Sequence, residues 1–210
     1  MIALTPLAFV SQTPPEAEAL LAKMRAAYQA VKSAKFTVQF EAADSTGPTV
    51  TGSVNYEYMS PSKLRAEFTV PPQAPFRLIC NGKAIAIFTS AGKRREFSFS
   101  FKTLSANLPT NLETICFYDA EHELSVGKGG NMAHSKLQVL TSVPWNDKKW
   151  TVLRETDSAE DITVDYFIDP ASSLIYRTLG SEISSKKTYI DARVIALQLN
   201  PTIDPSRFDL

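Results

Sequence analysis

The chain has 210 residues, enough for one substantial core and too few for two comfortable domains, so one domain is expected. Its 22 Lys and Arg are balanced by 22 Asp and Glu, which excludes recruitment of nucleic acid or an anionic membrane by bulk charge. No apolar run approaches the roughly 20 residues that a bilayer-spanning helix needs.

The first ten residues, MIALTPLAFV, are mostly apolar and precede a polar Ser-Gln-Thr-Pro-Pro segment. This resembles the end of a secretory signal, although no Lys or Arg precedes it and no Ala-x-Ala site follows. Residues 1–12 are therefore expected to be the remnant of an export signal, and residues 13–210 a single domain. A helix should start at Thr13, with Thr13 as N-cap, Pro14 in the first turn and Glu16 reaching back in a capping box. Leu20, Met24, Ala27, Tyr28 and Val31 then fall at helical spacing, so this helix should lie on something apolar.

From Lys35 the period changes to two. Phe36, Val38 and Phe40 share one face of a strand, and residues 44–48 have the composition of a turn. Residues 49–59 place Val50, Gly52, Val54, Tyr56 and Tyr58 on one face, or the opposite set if Gly52 hosts a bulge. After Pro61, Leu64, Ala66, Phe68 and Val70 should face inward. Lys63, Arg65 and Glu67 should face out, with Arg65 a cross-strand charge partner. Residues 78–80 and 84–88 flank Asn81-Gly82, a strong hairpin signal. Ala91-Gly92 begins another arm, in which Lys93, Arg94 and Arg95 read as a basic turn and Phe97, Phe99 and Phe101 as one strand face.

Thr110 to Glu113 form a second capping-box pattern, followed by a short helical stripe of Leu112, Ile115 and Cys116. Residues 127–131 read as a loop. After Trp145 strands return over residues 150–155, 162–168, 174–183 and 188–199, punctuated by Asp169-Pro170 and Asn200-Pro201. About ten strands and two or three helices suit an α+β fold, a curved antiparallel sheet with helices over one face.

Motifs of chemistry are scarce. Glu121-His122-Glu123 and the second histidine, His134, lack metal-ligand spacing. Gly127-Lys-Gly-Gly130 is too short for a phosphate loop, and no Gly-x-Ser-x-Gly elbow occurs. Asp161, Asp165 and Asp169 alternate along a strand and read as its solvated face. No enzyme, metal or cofactor is expected. Cys80 and Cys116 allow one disulfide in an oxidising compartment, or else two small buried hydrophobes.

The stretches Phe36-Thr-Val-Gln-Phe40, Gly52-Ser-Val-Asn-Tyr56, Pro61-Ser-Lys-Leu-Arg65, Asn81-Gly-Lys83, Trp150-Thr-Val-Leu153 and the closing residues 197–208 follow one another in an order that resembles the LolA-like family. These are periplasmic lipoprotein carriers, whose fold recurs in LolB and in the N-terminal part of RseB. The resemblance implies an incomplete β-barrel lidded by helices, with a cavity for acyl chains lined by Phe36, Val38, Phe40, Tyr56, Leu64, Phe68, Phe97 and Phe99. It implies a monomeric, non-catalytic, periplasmic carrier of a lipid or acylated lipoprotein, with a membrane-protein delivery partner. The alternative is a regulatory or protein-interaction module sensing envelope components. Two departures are visible: Ser60 stands before Pro61 where the carriers often have arginine, and Ala86 and Phe88 replace an aromatic pair.

Overall fold

A computed structural model describes residues 14–43, 48–90, 92–99 and 135–210, with Lys93, Arg94 and Ser135 described by backbone alone. The expected export remnant at 1–12, Thr13, most of the expected 44–48 turn, Phe101, the expected second capping box and the stripe ending at Cys116, both histidines and the expected 127–131 loop lie outside the described residues.

Pro14 precedes another proline, and a residue in that position is held in extended backbone. The helix therefore begins one residue later: α1 spans Pro15–Ala30, with Pro15 at its first position and Pro14 as N-cap at φ −56°, ψ 139°. No side chain caps it, which corrects the expected Thr13–Glu16 capping box. The apolar spacing holds. Ala17, Met24 and Tyr28 are buried, and Leu20, Leu21 and Ala27 pack half-buried against the same cluster.

Eleven strands among the described residues form one antiparallel sheet. They are β1 (Ser33–Ala42), β2 (Val50–Met59), β3 (Lys63–Thr69), β4 (Phe76–Asn81), β5 (Ala84–Thr89), β6 (Gly92–Ser98), β7 (Ser135–Trp145), β8 (Lys148–Asp157), β9 (Ile162–Ile168), β10 (Ile175–Glu182) and β11 (Thr188–Leu199). Their order is β6-β5-β4-β3-β2-β1-β11-β10-β9-β8-β7, so two runs of sequential hairpins join where β1 pairs with β11. Among the described residues the sheet is not closed, and β6 and β7 are its two edges.

The inner face lies under α1. Alternation puts Phe36, Val38 and Phe40, then Val54, Tyr56 and Tyr58, then Leu64, Ala66 and Phe68 into one continuous core with Leu153, Tyr166, Ile190 and Ala192. Gly52 hosts no bulge, and β1 pairs with β2 without a register shift. Opposite it, Phe40 lays its ring across the strand, and a Cβ at Gly52 would stand 2.7 Å from Phe40 Cζ. Asn81-Gly82 makes the expected hairpin: Gly82 has φ 87°, and Asn81 Oδ1 accepts from the N–H groups of Lys83 and Ala84, both at 2.9 Å.

Two further expectations need correction, and one strand was outside them. Lys93, Arg94 and Arg95 are in strand β6, not in a turn, because the reversal is completed by Gly92 at φ 101°. Strand β7 was not anticipated. Its alternation is broken at Ser142, φ 61°, where the register with β8 shifts between Leu140 and Val143. Asp165 is buried rather than solvated, accepting from Arg154 Nε at 2.6 Å and Nη2 at 2.7 Å. Its two neighbours in the pattern serve turns instead: Asp169 accepts from Ser172, and Asp161 from Ser184.

The outer face carries smaller clusters. Ile79, Ile203 and Phe208 pack together where a 3-10 helix, Pro205–Phe208, straps across the sheet. Trp150, Val152 and Phe167 form a second cluster beside Trp145. Arg177 lies over the rings of Trp145 and Phe167, 5.2 and 5.0 Å from their centroids, and donates to Asp191 at 2.9 and 2.7 Å.

Candidate functional site

The inner face gathers the residues expected to line a cavity. Phe36, Val38, Phe40, Tyr56, Leu64 and Phe68 belong to one cluster, none of them more than 4 % exposed. Phe97 stands opposite Ile85 on the same face and is half-buried, and Phe99 packs half-buried against the cluster. Phe36 stacks on Tyr56 with centroids 4.6 Å apart. In this conformation the six most buried residues are core, sealed by side chains and α1.

An open volume adjoins that core. A groove of ≈ 490 Å³ opens at the rim above β4, β5 and β6, within the roughly 300–1,000 Å³ typical of small-ligand sites. It is lined by Gln73, Ala74, Phe76, Ile87, Thr89 and Arg95. Phe76 connects it to the sealed cluster, stacking on Phe68 with centroids 4.4 Å apart and rings 7° from parallel. Ile87 pairs with Leu78 on one side and Arg95 on the other, so all three project to the inner face. Phe76 falls outside the strand expected to start at Leu78, and extending the Leu78, Cys80 alternation back two residues reaches it; Ile87 lies within the expected strand 84–88 but is not among the residues expected to line the cavity.

Helix α1 is fastened across this face. The Tyr28 hydroxyl accepts a hydrogen bond from the backbone N–H of Ile175 at 3.0 Å, in buried surroundings. Leu137 and Val139 of β7 pack half-buried on the same cluster. Cys80 is buried, its Sγ donating to the Ser62 carbonyl at 3.3 Å; Cys116, the other half of the one pairing the sequence allows, lies outside the described residues.

A second groove, ≈ 430 Å³, runs along the outer face and is lined by polar side chains that include Lys35, Thr37, Asn55, Glu57, Arg65, Glu67 and Arg207. Its charges are mutually satisfied. Glu57 faces Arg65 in register and meets Arg207 at 2.8 Å, Lys35 at 3.5 Å and Arg65 at 3.7 Å, while Arg65 also bonds Glu67. Arg65 is thus the cross-strand partner expected, and the network holds the 3-10 helix in place. Among the described residues no three His, Cys, Asp or Glu side chains group to hold a metal, and no helix is long and apolar enough to cross a membrane.

No protein-family model and no curated protein matches this sequence. Solved structures match it by shape. Against MucB the TM-score is 0.57 at 12% identity, covering 94% of this chain and 63% of that one. Against the Pseudomonas aeruginosa MucA/MucB complex the TM-score is 0.55 at 12% identity, covering 93% and 61%. A LolA superfamily protein, NE2245 from Nitrosomonas europaea, gives 0.47 at 12% identity over 92% and 97%. The fold is LolA-like, an open antiparallel sheet with a helix over its inner face. The chain spans about three fifths of the length of the MucB chains it matches, and at such identity the likeness speaks for the fold alone.

Proposed function

We propose that this chain is a non-catalytic, exported protein that binds the acyl chain of a lipid or acylated lipoprotein on its inner face. The observation that carries this is the groove floored by Phe76 and Ile87, which continues through the Phe68–Phe76 stack into the aromatic core beneath α1. In this reading the groove is the entrance. Phe97 follows Arg95 on the same strand face and Phe99 lies further from the groove, beside Lys83, while Phe36, Val38, Phe40, Tyr56, Leu64 and Phe68 become available as α1 lifts. Burial of about ten methylenes at about 0.8 kcal/mol each gives about 8 kcal/mol, a micromolar affinity suited to release as well as capture. The protein works as a monomer, with residues 13–210 as one domain, and passes its cargo to a membrane-protein partner.

Native mass spectrometry of the gently purified protein, followed by lipid extraction, tests the reading. Discrete excess mass released as lipid is expected, together with uptake of a fluorescent acyl probe that Ile87→Glu abolishes while the unfolding transition stays cooperative. Ile87 and Phe76 are the positions to charge, because Phe68 is fully buried and a charge there would unfold the core. A bare mass and no probe uptake would refute it.

A second reading is a regulatory module that binds a protein. It is supported by the fold likeness to MucB, a protein solved in complex with MucA. This reading predicts a bare native mass, and affinity for a polypeptide partner that survives Ile87→Glu.

A further inference from the structure

We propose that the groove selects an amphiphile with an anionic head group, and that Arg95 is the residue that selects it. The inference rests on the acyl-binding reading and adds the chemistry of the cargo's polar end.

The groove is amphipathic. Phe76, Ala74 and Ile87 give it apolar surface, while Gln73, Thr89 and Arg95 supply its polar groups. Among the described residues Arg95 is its only charged lining residue, and none of them places a carboxylate beside that cation. The next residue, Glu96, stands opposite Ala86 and therefore projects to the other face of the sheet.

That placement contrasts with the rest of the sheet. Arg65, Arg154, Arg177, Arg193 and Arg207 each bond a carboxylate. Arg77 lies over the Phe88 ring on the outer face. Arg95 is exposed and has no carboxylate partner among the described residues. A guanidinium offers two parallel N–H donors that match a carboxylate or a phosphate and gain little from a neutral hydroxyl. An acyl chain lying along Phe76 and Ile87 would bring its head group to Arg95, directly across the strand pair from Ile87.

The chemistry is shared by two sources, a fatty-acid carboxylate and a phosphate ester, so the test uses both. Binding of dodecanoate, dodecyl phosphate and dodecanol is measured at pH 8 by displacement of a fluorescent acyl probe. At least one of the two anions should bind about tenfold more tightly than dodecanol, and which one does so identifies the source. Arg95→Gln should bring that ratio to about one, and Arg95→Lys should restore part of it. Raising the salt should weaken the anions alone. Equal affinity for dodecanol and both anions in the wild type would overturn the inference while leaving acyl binding intact, as would an unchanged ratio in Arg95→Gln. Failure of all three ligands to bind would remove the acyl-binding reading itself. Arg95 is exposed on an edge strand, so an unchanged unfolding midpoint in both variants serves as the folding control.

Discussion

Replacing Tyr28 by Phe removes a single oxygen and leaves the ring that packs in the core. That oxygen accepts from the Ile175 N–H at 3.0 Å, a backbone donor given to the helix rather than to a neighbouring strand. The β10–β11 ladder begins only at Arg177 and Arg193, so β11 cannot take over as acceptor without a register change. A hydrogen bond contributes about 0.5–1.5 kcal/mol net, but a buried donor left without an acceptor costs about 1–3 kcal/mol. No cavity of consequence is created, so the expected loss is about 1–3 kcal/mol. Urea unfolding followed by tryptophan fluorescence should show a lower midpoint with an unchanged slope. If Tyr28 also fastens α1 as a lid, the variant should take up an acyl probe faster than wild type. A stability change below about 0.5 kcal/mol with unaltered uptake would refute the reasoning, because the hydroxyl would then be neither a needed acceptor nor a latch.

Asp191 gives a pH dependence. Burial pushes its carboxyl upward, but hydrogen bonds from Arg177 and Arg193, with their charges, outweigh this and hold it below the ordinary value. A lowered folded pKa means that the stabilisation is complete above the unfolded value near 3.9 and disappears as pH falls through the folded one. Midpoints measured between about pH 6 and 3 should therefore drop more steeply in wild type than in Asp191→Asn. Gly180→Ala should cost about 1–3 kcal/mol, since a Cβ there would stand 2.4 Å from Tyr189 Cζ and 2.7 Å from Ile190 Cγ2; differential scanning calorimetry would register it. Phe208→Ala should cost about 3 kcal/mol and release the 3-10 helix, detectable as faster hydrogen exchange around Arg207, while acyl-probe affinity on the inner face stays unchanged.

Much of the sheet was legible because a strand with one buried face cannot slip by a single residue without exposing its core side chains. Phe36 to Phe40, Val54 to Tyr58 and Leu64 to Phe68 all follow that rule, and Asn81-Gly82 marks its turn by itself. Strand β7 was hidden by Ser142 and Pro144, which interrupt the alternation; as an edge strand it tolerates a residue without an N–H donor. The pairing of Arg154 with Asp165 depends on the β8–β9 register, which no local pattern reveals. The site was legible only in part. Alternation identifies the face that Phe36 and Phe68 share, but a sealed core and a ligand cavity present the same period. The groove needs Gln73 from a loop, Phe76, Ile87 and Arg95 from three strands, and their meeting is a property of the folded chain.

The pairing of β1 with β11 has a consequence for how this protein comes to be folded. Every other strand pair joins neighbours in sequence, so both halves of the sheet can zip from local hairpins at small entropic cost. The seam between them unites groups as distant as the Lys32 N–H and Asn200 Oδ1, 168 positions apart. It is reinforced by the Asn200 N–H on the Ser33 carbonyl and the Ser33 hydroxyl on that of Pro201. Helix α1 leads into β1 on one side of this seam yet bonds Ile175 on the other, so it cannot dock until the seam has closed. Until then the aromatic face lies bare on two unjoined half-sheets. The most aggregation-prone moment in the life of this chain is therefore a late one, and a chaperone that shields apolar strands would be most useful between hairpin formation and seam closure.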